Sequence, residues 1–135
     1  MKSHKVVFFF TALVLLFSCV AANALDVTPF FKIAQDYDAS PIKAKKTWMG
    51  RNVCIEGEIY YINVMDDGDA RVGFVGRSGS IEEEAVIYIF DFRGVPDELV
   101  ELEKGQQVKI RGEIRQIKED NNRIVISLYP SYLVQ

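Results

Sequence analysis

The chain has 135 residues, 49% of them hydrophobic, and its 16 Lys and Arg against 19 Asp and Glu residues give it a formal charge of −3. This length is typical of one domain with one hydrophobic core. The acidic balance argues against a protein that attracts nucleic acid or anionic lipid through its overall charge.

The first 24 residues have the three parts of a secretory signal peptide: two lysines, an apolar run over residues 6–17, and small residues that end at Ala24. The apolar run falls short of the roughly 20 residues that span a bilayer. We therefore expect cleavage after Ala24 and a periplasmic or secreted chain that begins at Leu25 and has no transmembrane segment. A lipid anchor at Cys19 is the alternative, although the bulky Phe17 departs from the usual lipoprotein signal.

Cleavage changes the chemistry of the chain. It removes Lys2, Lys5 and the only histidine, His4, so that 14 basic residues remain against 19 acidic ones and the formal charge becomes −5. A chain without histidine lacks Ser-His and Cys-His catalysis and the commonest neutral zinc ligand. Cys54 is then the only cysteine, which excludes an internal disulfide. We interpret it as a half-buried packing residue, with a reactive or intermolecular thiol as the alternative.

Two short helices, or one broken helix, are predicted ahead of the first strand. Thr28 and Pro29 are typical of a helix start, Ser40 and Pro41 repeat the pattern, and Gly50 is typical of a helix end. Aromatic residues of this segment are predicted to pack the helices onto a sheet: Phe30, Phe31 and Trp48.

Five segments have the alternation and the β-branched and aromatic residues of strands. They are residues 53–64, 70–76, 85–92, 107–117 and 123–129. A turn containing Asp67 and Gly68 separates the first two strands, and a short helix that begins at Pro96 is predicted between the third and the fourth.

One phrase occurs twice in these strands: VCIEGEI from Val53 and VKIRGEI from Val108 share five of their seven positions. A glycine in the middle of a strand is typical of a bulge, a barrel corner or a close approach of another backbone. We therefore predict that Gly57 and Gly112 are structural residues at which two strands bend, and that these are the first and fourth strands of one small barrel.

Five strands with a helix after the third is the order of the OB-fold, a five-stranded Greek-key barrel. We predict a mainly β protein of this fold, β-β-β-α-β-β, preceded by one or two short helices. A β-sandwich is the alternative, but it ordinarily needs about seven strands. The predicted organisation is a signal peptide at residues 1–24, a helical segment packed on the barrel at 25–50, and an OB-fold domain at 51–135.

Three features stand out together: the helical segment that runs into WMGRNVCIEGEI, the later LEKGQQVKIRGEI and a closing apolar strand. In these features the chain resembles the tRNA-anti-like family of exported bacterial OB-fold proteins, from about Thr28 to Val134. A second exported group, the bacterial OB-fold stress proteins, is similar in strand order and in the V-x-I-x-G-E phrase. The resemblance implies a fold and no established activity, so the function has to be argued from the site.

An OB-fold generally binds on its second and third strands and on the loops that join strands one to two and four to five. Those strands offer aromatic residues beside arginines, which suit stacked bases. The candidate ligand-binding residues are Arg71, Phe74, Tyr88, Phe90, Phe92 and Arg93. Carboxylates in the loops argue against phosphates there: Asp66, Asp67, Asp69, Glu82, Glu83, Glu84, Glu119 and Asp120.

The sequence contains no recognisable catalytic motif, phosphate loop or metal-ligand spacing, and its aspartate turn is far shorter than a calcium loop. We expect no cofactor, no metal and no enzyme activity. The leading hypothesis is a noncatalytic exported binding module for a protein partner or a small cell-envelope ligand. A single-stranded oligonucleotide-binding protein is the second hypothesis, and an enzyme of unrecognised type is the third.

Overall fold

The computed structural model describes residues 26–77 and 85–135. The predicted signal peptide, Cys19 and the glutamates at 82–84 lie outside these residues. Two helices precede five strands: α1 (Lys32–Ala39), α2 (Pro41–Trp48), β1 (Asn52–Val64), β2 (Ala70–Arg77), β3 (Ala85–Asp91), β4 (Gln107–Asp120) and β5 (Arg123–Val134). Within the described residues, no helix is long and apolar enough to cross a membrane.

The five strands close into a barrel in the order β1-β2-β3-β5-β4. Neighbouring strands are antiparallel except for β3 and β5, which are parallel. The first half of β1 pairs with β4 and its second half pairs with β2, so that one long strand serves both sides of the barrel. The predicted OB-fold is confirmed.

The two copies of the repeated phrase pair with each other. Gly57 in β1 is opposite Val108 in β4, and Gly112 in β4 is opposite Val53 in β1. Because the strands are antiparallel, the same residue types meet twice, once at each end of the paired segment. The repeat therefore belongs to the closure of the barrel, as its pattern predicted.

Both glycines of the repeat make room for a neighbouring side chain. A β-carbon on Gly57 would lie 2.7 Å from Cδ2 of Phe74, and one on Gly112 would lie 2.8 Å from Oγ of Ser131. These distances are too short for any side chain to be added without a shift of its neighbour.

The helical segment packs against the barrel through the residue types that the sequence indicated. The Tyr88 hydroxyl in β3 donates to the Phe30 carbonyl oxygen at 2.7 Å, and the two rings meet edge to face with centroids 4.9 Å apart. One core joins the barrel interior to the buried residues of the two helices, which are Ile33, Ala34, Ala44 and Trp48.

The second helix begins as predicted, and the first does not. Ser40 Oγ accepts a hydrogen bond from the Lys43 amide at 3.3 Å, with Pro41 as the first residue of α2. In contrast, the Thr28 amide donates to the Cys54 carbonyl oxygen at 2.8 Å. Thr28 thus lies in an extended segment beside β1, and α1 starts only at Lys32.

The same extended segment changes the environment of Cys54. Cys54 is 1% exposed rather than half-buried, and Val27 forms a parallel bridge beside it. Burial raises the pKa of the Cys54 thiol. A buried and protonated thiol is a poor nucleophile, which favours the packing interpretation over a reactive cysteine.

The helix predicted after β3 is a single 3-10 turn, Asp97–Leu99. The Val100 amide donates to the Asp97 carbonyl oxygen, a bond that spans three residues. The chain then returns to β1, where the Gly105 amide donates to the Ile59 carbonyl oxygen at 2.8 Å. Only residues 101–104 lie between Val100 and Gly105. An α-helix, whose first turn is costly to form, therefore has little room in this segment.

The last strand continues through Pro130 to Val134, beyond its predicted end at residue 129. The pairing of β4 with β5 is irregular between Gly112 and Ile114, opposite the stretch that contains Pro130. A proline at such an irregularity interrupts no ladder hydrogen bond, so it does not end the strand.

Candidate ligand-binding cleft

Residues in register across the strands form a row on the outside of the barrel. Tyr61 is opposite Gly73, Gly73 is opposite Ile89, Ile89 is beside Ser127, and Ser127 is opposite Gln116. Paired residues of neighbouring strands lie on the same face of a sheet. The row therefore crosses all five strands and includes the face that OB-folds generally use for binding.

A cleft of about 400 Å³ follows this row, a volume within the range of small-ligand sites. Its aliphatic side chains are half-buried or buried, Arg71 is half-buried, and its other charged side chains are exposed. The aliphatic residues are Ile87, Ile89 and Val125, and the polar and charged residues are Tyr61, Arg71, Gln116, Lys118, Asp120, Arg123 and Ser127.

Tyr61 forms the aromatic surface of the cleft. A β-carbon on Gly73 would overlap the Tyr61 ring, so the ring lies directly on the backbone of β2. Burial raises the pKa of the Tyr61 hydroxyl, which therefore stays protonated at neutral pH and can donate a hydrogen bond to a ligand.

Arg71 lies in the cleft but is held by a carboxylate. Its Nε is 2.6 Å from Asp91 Oδ1 and its Nη2 is 3.0 Å from Asp91 Oδ2, a bidentate arrangement between opposite residues of β2 and β3. The hydrogen bonds to Asp91 raise the pKa of Arg71. A phosphate would have to compete with Asp91 for this guanidinium group.

The far end of the cleft is the turn between β4 and β5. Asn121 and Asn122 have φ values of +50° and +61°, which asparagine tolerates better than most residues. Arg123 follows the turn and lies 3.5 Å from Asp120, between Nη2 and Oδ2. Lys118 on β4 adds a further positive charge to this end.

Four of the six predicted binding residues lie inside the barrel. Phe74, Tyr88 and Phe90 are fully buried and Phe92 is 1% exposed, so their rings cannot stack on a ligand at the surface. The prediction is corrected for these four residues, because the face of β2 and β3 that carries them is the inner one. Choosing the wrong face of a strand exchanges every side chain of the set.

The two predicted arginines have different positions. Arg71 lines the cleft, as described above. Arg93 is exposed, and its guanidinium group lies over the Tyr129 ring, 5.8 Å from the centroid. Arg93 is not among the residues that line the cleft.

The sequence contained a signal for the correct face. Arg71 and Phe74 are three positions apart in one strand, so they point to opposite sides, and a charged residue marks the outer side. Asp91 alternates in the same way with Phe90. Sequence reasoning missed Tyr61, the aliphatic residues of the cleft and all its β4 and β5 residues, because both faces of β3 are apolar and the neighbours of β5 depend on barrel closure.

Two of the predicted acidic loop residues have structural roles. Asp67 Oδ1 accepts a hydrogen bond from the Asp69 amide at 2.9 Å, and Asp69 Oδ1 accepts one from the Gly94 amide at 2.8 Å. The first bond lies within the β1-β2 loop, and the second holds this loop to the segment after β3. Among residues 26–77 and 85–135, no three His, Cys, Asp or Glu residues are grouped so that they could hold a metal ion.

The closed five-stranded barrel defines an OB-fold protein. The sequence matches the tRNA_anti-like family over residues 23–126, most of its length, and the chain belongs to this family. The resemblance seen in the repeated phrase and its flanking residues is thereby confirmed.

A solved structure with a similar fold is that of a lipoprotein from Klebsiella pneumoniae subsp. pneumoniae MGH 78578, described as a candidate nucleic acid-binding protein. The TM-score is 0.58 and the sequence identity is 18%, over 87% of this chain and 97% of that chain. At this identity the similarity shows the fold alone. No curated protein matches the chain.

Proposed function

We propose that the protein is a noncatalytic exported binding module that holds a protein partner or a small cell-envelope ligand in the cleft across its barrel. The observation that carries this proposal is the composition of the cleft, where aliphatic side chains lie between charges of both signs. Export to the periplasm or the medium is part of the proposal and depends on the predicted signal peptide at residues 1–24.

The aliphatic residues supply the affinity in this proposal. Ile87 and Ile89 are half-buried on the outer face of β3, so a ligand that covers them removes apolar surface from water. The charges supply the orientation. The Arg71–Asp91 pair lies on one side and the Asp120–Arg123 pair on the other, which suits a ligand that carries polar groups of both signs.

Binding of single-stranded nucleic acid is the second candidate. It is favoured by three cations in the cleft, Arg71, Lys118 and Arg123, and by the description given to the Klebsiella lipoprotein. It ranks lower because the Arg71 guanidinium group already has a carboxylate partner and because Tyr61 is the only aromatic residue among the described residues that line the cleft. Sequence-independent binding of single strands ordinarily uses several stacked rings and an electropositive groove.

The test is capture of ligands from a cell-envelope extract by immobilised protein, followed by mass spectrometry. We expect the native protein to retain a ligand that the Ile89→Glu variant loses, because this substitution puts a charge on the apolar part of the cleft. The matched control is Val100→Glu, at a residue that is 68% exposed and does not line the cleft. Equal retention by native protein and Ile89→Glu, both with native melting curves, would reject the cleft as the site.

A further inference from the structure

The second helix has a charge unlike the rest of the chain. Residues 41–51 contain four basic side chains and no acidic one, whereas residues 52–135 contain 9 basic and 16 acidic side chains, a net charge of −7. The basic residues are Lys43, Lys45, Lys46 and Arg51. A molecule with this distribution is acidic as a whole and positive on one side.

The exposed face of α2 combines these charges with apolar side chains. Ala44 and Trp48 are 2% and 8% exposed and pack against the barrel core. At 100° per residue, Ile42 and Lys46 lie on the opposite side of the helix. Ile42 is 84% exposed, and Met49, the residue after the helix, is 41% exposed.

We call Ile42, Lys43, Lys45, Lys46 and Met49 the α2 basic face. Charges flank a large apolar side chain that contributes little to folding, since it remains in water. A helix face of this composition is typical of helices that lie at a membrane surface, where lysines meet the headgroups and apolar side chains enter the headgroup–acyl boundary.

We propose that the α2 basic face docks onto the surface of a bilayer that contains anionic phospholipids. Each lysine near such a surface adds attraction that fades within roughly 10 Å at physiological salt, so the acidic barrel, on the far side, opposes docking only weakly. Docking of α2 orients the molecule and is independent of the ligand cleft. The overall negative charge of the chain excludes long-range attraction, and this proposal requires only the local one.

The experiment is cosedimentation of the exported protein, as purified from the cell envelope, with two kinds of vesicle. One contains phosphatidylcholine alone and the other contains phosphatidylcholine with phosphatidylglycerol. The measured quantity is the ratio of the two partition coefficients, which isolates the anionic preference even when a lipid anchor adds a constant affinity for both.

We expect the native protein to prefer the anionic vesicles. The triple variant Lys43→Glu, Lys45→Glu, Lys46→Glu should lose this preference, so that its ratio of partition coefficients is lower than that of the native protein by a factor on the order of 100. The matched control reverses three charges outside the cleft and outside α2, Arg77→Glu, Lys104→Glu and Lys109→Glu, and should keep it. A further variant, Ile42→Gln, leaves every charge in place and should weaken binding several-fold, because less apolar surface is buried.

Three results would overturn the proposal. The first is a native protein without preference for anionic vesicles. The second is an equal loss in the control variant, which would mean that total charge alone decides. The third is displacement of the protein from vesicles by a single-stranded oligonucleotide that binds the native protein and not the triple variant, which would assign the α2 basic face to nucleic acid. Melting curves of all variants verify folding, and the substituted side chains on α2 are exposed.

Discussion

At the scale of single residues, two glycines in this barrel support aromatic rings on opposite sides of the wall. Gly57 leaves space for Phe74 inside the barrel, and Gly73 leaves space for Tyr61 outside it. The first contact belongs to the core and the second to the cleft. The same residue type therefore has a purely structural role in one strand and shapes a binding surface in the next.

Replacing Gly57 with valine should destabilise the protein by about 1–3 kcal/mol, since a new side chain would overlap the Phe74 ring in a packed core. The matched control is Glu56→Val, which adds the same side chain at the exposed neighbouring position of β1. Chemical denaturation measures both. Equal stability of the two variants would mean that Phe74 moves away without cost and that Gly57 is not required for closure.

Replacing Gly73 with alanine should displace the Tyr61 ring from β2 and leave the core unchanged. Since burial raises the pKa of Tyr61, exposure of the ring should lower this pKa toward its ordinary value near 10. Ultraviolet titration of the hydroxyl, with Tyr61→Phe to assign the signal, measures the change. The same variant should bind the cleft ligand more weakly, and an unchanged titration would show that the ring never lay on Gly73.

At the scale of elements, a small polar cluster joins the two helices in addition to their buried apolar residues. Trp48 Nε1 donates to Asp36 Oδ2 at 2.9 Å, and Lys32 Nζ lies 3.1 Å from Asp36 Oδ1. Ser40 is at once the residue after α1 and the cap of α2. One carboxylate and one hydroxyl thus connect the two helices at the point where the helical segment folds back on itself.

The helix pair should lose part of its stability in acid. The hydrogen bond from Trp48, followed by the bond and the charge of Lys32, lowers the pKa of Asp36. A lowered carboxyl pKa adds stability that is present above the unfolded value near 3.9 and is lost as the pH falls through the folded value. Fluorescence of Trp48, the single tryptophan, should report a loosening below about pH 4.

The comparison for this prediction is Asp36→Asn against Asp38→Asn. Asp36→Asn should lack the pH-dependent part of the helix pair's stability, because an amide does not titrate. Asp38→Asn should behave like the native protein, since Asp38 is exposed. An identical acid response in all three proteins would assign the effect to other carboxylates.

At the scale of the whole molecule, the distribution of charge separates the candidate functions. The barrel is acidic, Asp120 lines the cleft, and the basic residues of the helical segment form the α2 basic face. Attraction of polyanions depends on the number of phosphates that basic groups neutralise, and two cations of the cleft are already paired with carboxylates.

We therefore expect the native protein to bind single-stranded DNA negligibly at physiological salt. Converting five loop acids to their amides should permit weak, salt-sensitive binding: Asp66, Asp67, Asp69, Glu119 and Asp120. Asparagine at 67 and 69 retains an oxygen that can accept the two backbone hydrogen bonds, so the loop should keep its fold. Fluorescence anisotropy of a labelled oligonucleotide at two salt concentrations measures both proteins. Tight, salt-resistant binding by the native protein would replace the leading function with the nucleic-acid one.

The sequence by itself determined the number of strands and their order along the chain, the presence of the two helices and the family. The reason is that period-two alternation, mid-strand glycines and capping residues act over a few neighbouring positions. The pairing of the first strand with the fourth was also accessible, because a repeated phrase constrains two strands at once, whereas the register of Val53 opposite Gly112 came from the structure.

Only the tertiary structure decided what lies together on the outer face of the sheet. The apolar residues of β3 occupy both faces, and only the charges of Arg71 and Asp91 indicated the outer side in the sequence. Three further features depend on contacts between segments that are far apart in the chain. They are the neighbours of β5, the burial of Cys54 beside Val27 and the extension of β5 past Pro130. Barrel closure sets these contacts together, because the curvature of the whole sheet brings strands that are far apart in the chain side by side.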